Sequence, residues 1–132
     1  MNTLDFEKIA EREKIDVYNY KMNSKAKIIK LDEPTILLDN SKIHTETERK
    51  CLLAEELGHY YHDAYYTLNS DNIFIDKQEY RAKKWKCLTC IPKNSLQDCF
   101  SKGITNIYDI AAELEVEPNM VQFAYDYYKR NA

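Results

Sequence analysis

The chain has 132 residues, 44% hydrophobic and 31% charged, enough for one domain that buries its core without disulfide staples. A formal charge of −3 gives no general pull toward nucleic acid or an anionic membrane. Its apolar runs, such as residues 36–38 and 52–54, fall far short of the ~18 residues of a membrane span, and the charged, amphipathic opening MNTLDFEKIAEREK does not read as a secretory signal.

In chain order, residues 4–14 are predicted to form a helix with Leu4, Phe6 and Ile9 turned inward. Residues 15–38 change character. Val17, Tyr18, Tyr20, Ile28, Ile29, Thr35 and Ile36 favour strands, and Asp32-Glu33-Pro34 and Asp39-Asn40-Ser41 punctuate them as turns. Two or three short strands are expected, the last ending near Asp39. A long helix then begins near Thr45, where Thr45 and Glu48 have capping-box spacing, and runs to about Tyr66. A loop with Asn69, Ser70, Asp71 and Asn72 follows, then a helix over residues 77–90 that stops before Pro92. Shorter helices are predicted at 93–102, 106–115 and 118–130, with Pro118 in the first turn of the last. The expected fold is α+β and mainly helical, a small N-terminal sheet lying on the long helix. The expected organisation is a single domain over 1–132: helix and strands to residue 44, the long helix and its successor over 45–92, C-terminal helices over 93–132.

The chemistry concentrates in the long helix. At about 100° per residue, Leu53, Leu57, Tyr60 and Ala64 share one face, and Glu55, His59 and His62 the opposite one. Two ligands at i and i+4 can reach one ion, and the residue after the first leans over its open coordination position. A carboxylate there, Glu56, can take a proton from attacking water and pass it to a leaving amine. The usual pattern is H-E-x-x-H, and here it reads E-E-x-x-H. Glutamate oxygen also ligates zinc. Gly58 adds weight: glycine inside a helix costs about 1 kcal/mol, so close approach of another backbone or a substrate is expected there. Glu79, twenty positions after His59, is the preferred third ligand. His62 competes, but three ligands at i, i+4 and i+7 span about 10 Å of one helix, which places His62 at the rim of the site. The bland alternative is a solvated polar face carrying an ordinary surface histidine.

Residues 53–60 (LAEELGHY) resemble the active-site helix of the ImmA/IrrE metallopeptidases of bacteria and their phages. Residues 79–85 (EYRAKKW), followed by Leu88 and Ile91-Pro92, resemble that family's E-x-x-A-x-x-(F/W) helix and its closing I-P, and residues 106–116 with Tyr127-Tyr128 its C-terminal helices. The resemblance covers roughly residues 5–130. It implies a gluzincin-like zinc site with Glu55, His59 and Glu79 as ligands and Glu56 as general base. It also implies a cytoplasmic endopeptidase of a phage or mobile element, acting as an anti-repressor on a helix-turn-helix repressor. Glu55 stands where the best-known members carry histidine, which is the EELGH variant. A non-catalytic protein that only binds the repressor is the alternative.

Other features have plainer readings. Cys87-x-x-Cys90 lacks a second pair, so buried reduced thiols are expected. Cys51, one turn before Glu55, is a neighbour of the site and a candidate soft ligand at its rim. Residues 110–128 have helix-turn-helix rhythm, but the second helix is apolar and aromatic, with basic residues only at Lys129 and Arg130. Packing or protein docking is preferred there to DNA reading. Tyr60, Tyr61, Tyr65 and Tyr66 are expected to be core residues with hydroxyls at the surface, one of them a candidate oxyanion donor, and His44 a surface loop residue.

Overall fold

The computed structural model describes residues 1–30, 32–62 and 72–132, the side chains of 72–76 excepted. Among the described residues the fold is α+β, with six α-helices and one three-stranded sheet. They fall into two compact units, Met1–Lys86 and Cys87–Ala132.

The first unit opens with α1 (Thr3–Arg12). Asn2 caps it, accepting from the Asp5 amide while the Asp5 carboxylate accepts from the Asn2 amide, so two otherwise orphaned donors are satisfied reciprocally. Phe6 and Ala10, one turn apart, make its buried stripe. Leu4, expected to point inward, is 55% exposed. It sits about 200° around the helix from Phe6, and Ile9 only flanks the stripe, half-buried. The helix reverses through Lys14 at φ +60, where the Ile15 amide bonds to the Ala10 carbonyl and turns the chain into the sheet.

The sheet runs β1 (Asp16–Asn19), β3 (Pro34–Leu38), β2 (Ala26–Lys30) across its width, β3 parallel to β1 and antiparallel to β2. The register sets Ala26 opposite Leu38 and Ile28 opposite Ile36, four buried side chains on one face. That face packs on α2 (Glu46–Tyr61). Buried Asp39 ends β3, accepting from the Ser41 amide and hydroxyl and the Met22 amide. The Ser41 hydroxyl, then the Met22 amide, hold its carboxyl below the usual range.

Thr45 caps α2 by accepting from the Glu48 amide at 3.0 Å. The return half of the expected box goes elsewhere: the Glu48 carboxylate accepts from the His44 amide and the Lys25 ammonium. The helix ends at Tyr61 with His62 as its C-cap. The expected extension to Tyr66, with Ala64 and Tyr65, and the loop residues Asn69, Ser70 and Asp71 lie outside the described residues. Asn72, expected in that loop, instead begins α3 (Asn72–Cys90). Helix elongation is cooperative, so Ile73-Phe74-Ile75, weak helix formers alone, join a helix that continues strongly after them.

In the second unit α4 (Lys93–Ser101), α5 (Ile107–Leu114) and α6 (Pro118–Arg130) lie close to their expected positions. Asn106 caps α5 and Pro118 occupies the first turn of α6. Leu96, Cys99, Ile110, Met120, Val121 and Ala124 are buried, as are Cys87 and Cys90. The Tyr128 hydroxyl donates to the Ile91 carbonyl at 2.7 Å. Glu115 joins α5 to α6 in the left-handed region at φ +54.

Candidate metal centre

Glu55 and His59 sit one turn apart on α2, in a stretch buried around most of its circumference. Leu53, Ala54, Leu57 and Gly58 are buried, and so are Glu56 and His59, each 3% exposed. An imidazole so deeply enclosed is no solvated surface histidine, because burying a polar ring requires a partner to offset its desolvation.

The partner side chain arrives on α3. A Cβ on Gly58 would stand 2.7 Å from the Ala82 carbonyl oxygen and 3.0 Å from the Ala82 Cα, so here the backbones of α2 and α3 touch. Trp85, one turn further, packs against Phe6 and Tyr61 with ring centroids 6.2 and 5.2 Å away. Glu79 lies almost one turn before Ala82, and the close approach carries it to His59: Nε2 and Oε1 are 3.5 Å apart. Glu55, His59 and Glu79 each offer one ligand atom, all within 4.8 Å of one another. Among the described residues this is the one such group of three.

The donor set fits a divalent cation. Ligand bonds of about 2.1 Å in a tetrahedral shell put neighbouring ligand atoms about 3.4 Å apart, close to the His59–Glu79 separation. One imidazole and two carboxylates offer borderline and hard donors, a set that suits zinc and other transition ions. Glu55 and Glu79 stay partly open to solvent, at 34% and 47%, so the centre faces outward over these two.

Glu56 lies beside this group. The Asp39 amide bonds to the Lys25 carbonyl, and antiparallel pairing alternates, so the odd-numbered residues of β2 spend their backbone groups on β3. The Ile28 amide therefore points away from β3, and there it hydrogen-bonds the Glu56 carboxyl. Glu56 Oε2 is buried with no hydrogen-bond partner among the described residues. Burial pushes the Glu56 carboxyl up to about 8, and the carboxylates of Glu55 and Glu79 push the same way. The Ile28 amide and Lys86 pull it back. Such a group holds a proton near neutrality while no cation is present and has a pKa in the range a general acid–base uses.

Residues 10–125 match the peptidase M78 family, described as the IrrE N-terminal-like domain. The chain belongs to that family. No curated protein and no solved structure matches it. IrrE N-terminal-like domains are typically metal-dependent, consistent with the three-residue group on α2 and α3.

Other sequence candidates sit differently on this IrrE-like framework. Cys51 is buried and His62 is the exposed C-cap of α2, and neither joins the group of three. The Tyr60 and Tyr61 hydroxyls donate to Glu13, which commits both away from an oxyanion role. Tyr65 and Tyr66 lie outside the described residues. His44 is exposed, as expected. Two participants escaped sequence reading. The Ile28 amide carries no side-chain signature. Lys86 lies seven positions, or two turns, after Glu79, which puts both on one face of α3, and that spacing was the available signal.

Proposed function

We propose that this chain is a zinc-dependent endopeptidase whose substrate is a helix-turn-helix repressor of the same phage or mobile element, cleaved in the cytoplasm. The observation that carries the peptidase reading is the convergence of Glu55, His59 and Glu79 within 4.8 Å, beside a buried carboxyl with a strongly raised pKa. A divalent cation held by Glu55, His59 and Glu79 would supply Lewis acidity toward the scissile carbonyl and the attacking water. Glu56 then accepts the water proton and delivers it to the departing amine. The Ile28 amide holds one side of the Glu56 carboxyl, so the group is oriented before substrate arrives. The substrate class rests on the likeness of residues 53–60 and 79–85 to mobile-element relatives.

The second reading is a repressor-binding protein without peptidase activity, favoured by Glu55 in the place of histidine. A DNA-reading role for α5 and α6 has weaker support. Met120, Val121 and Ala124 are buried, the Gln122 amide bonds to Asp126, and cations on α6 are confined to Lys129 and Arg130 at its end.

The test uses purified protein with zinc and a helix-turn-helix repressor of the same phage or mobile element, with products read by intact-mass spectrometry. Wild type is expected to yield two fragments, and Glu56→Gln is expected to bind zinc but leave the repressor whole. Anti-repression that survives Glu56→Gln unchanged removes the peptidase reading and leaves the binding one.

A further inference from the structure

Lys86 is 8% exposed, although lysine is among the residues least often buried without a paired charge. Its Nζ lies 3.8 Å from Glu55 Oε2, and its charge also acts on Glu56. An ammonium beside a cation site opposes cation binding unless it has another task. We propose that Lys86 is a positioning residue of the metal centre: by engaging Oε2 of Glu55 it offsets that carboxylate's charge, so that Glu55 and Lys86 together stand in for one neutral histidine.

The charge count supports this. A His, His, Glu ligand set carries one negative charge. Glu55, His59 and Glu79 carry two, and Lys86 returns the total to one. A carboxylate has two oxygens, so an ammonium on one side leaves the other side available to an ion. Partners that orient and tune a ligand from behind change metal affinity by about 10- to 100-fold. Lys86 also sits on α3, the helix that brings Glu79, so one helix delivers both the third ligand and the balancing charge.

The inference rests on the metal reading above, and its test separates the two. Zinc affinity is measured by competition with a chromophoric chelator for wild type, Glu55→His, Lys86→Met and the double variant, with folding followed by circular dichroism. Glu55→His leaves the ammonium uncompensated next to an imidazole and the ion, and is expected to weaken zinc binding at least tenfold. Adding Lys86→Met is expected to restore affinity to within about threefold of wild type, because that pair carries the charge of the usual motif. Lys86→Arg keeps the cation and is expected to bind zinc like wild type. The proposal is overturned if Glu55→His alone binds zinc as tightly as wild type, or if Lys86→Met changes affinity by the same factor in both backgrounds. The double variant removes the position-55 carboxylate together with its ammonium, so it decides the matter even if Lys86→Met alone folds poorly. Absence of zinc binding by wild type overturns the metal centre itself, and the pairing with it.

Discussion

Gly58→Ala isolates the contact on which the proposed metal centre depends. By intrinsic propensity the substitution should stabilise α2 by about 1 kcal/mol. Against this, the new Cβ would lie 2.7 Å from the Ala82 carbonyl oxygen, where ordinary contact begins at 3.4 Å. The obstacle is helix backbone and cannot rotate aside, so α3 must retreat by roughly 0.7 Å, by the difference of those two distances. Overpacking of this kind costs about 1–3 kcal/mol, so the expected net effect is a loss of about 1 kcal/mol. The larger effect falls on the site. Glu79 moves with α3, and its 3.5 Å approach to His59, now close to the about 3.4 Å edge of a tetrahedral shell, widens to about 4 Å. Zinc affinity should fall about 10- to 100-fold, as when a supporting shell is disturbed. Chelator competition and thermal denaturation in the metal-free state read the two effects separately. A Gly58→Ala protein that gains the full propensity increment and binds zinc like wild type would falsify the close approach of α2 and α3.

Further outcomes follow from particular residues. In the metal-free protein Glu56 has its carboxyl raised from 4.5 to about 8, first by burial and then by Glu55 and Glu79. The folded state therefore keeps a proton that the unfolded chain releases, and stability falls as pH rises from about 4.5 to about 8. The ceiling on that loss is roughly 5 kcal/mol at about 1.4 kcal/mol per pH unit, and Glu56→Gln should flatten this part of a denaturation-against-pH curve. Zinc at a hundredfold excess over its dissociation constant should stabilise the fold by about 2.7 kcal/mol, measured as a chelator-reversible rise in Tm that Glu79→Gln abolishes. Glu115, held at φ +54, bears a left-handed conformation costing a residue with Cβ about 1–2 kcal/mol. Glu115→Gly relieves that strain but loosens the unfolded chain, so a net gain of about 0.5–1 kcal/mol is expected in urea denaturation.

Much of the fold was legible because it is written locally. Thr45, Asn106 and Pro118 mark helix starts through hydrogen-bonding and ring constraints that act within one turn. The strands showed through β-branched residues between turn signals. Leu4 was misread because a short amphipathic stripe leaves its margin open until a neighbour packs on it, and α1 chose Phe6 and Ala10. The start of α3 was misread because Asn72 and the β-branched residues after it score poorly as helix formers in isolation.

The sequence by itself determined the i, i+4 pair of Glu55 and His59, the carboxylate between them, and a glycine where a second backbone was to arrive. Helix geometry fixes those relations wherever the helix lies. Only the tertiary structure decided that Ala82 fills the space above Gly58, that Glu79 then meets His59, that Lys86 stands against Glu55, and that an edge-strand amide holds Glu56. Each depends on two elements meeting at van der Waals distance. Burial, charge proximity and pKa are properties of that meeting, and no single segment carries them alone.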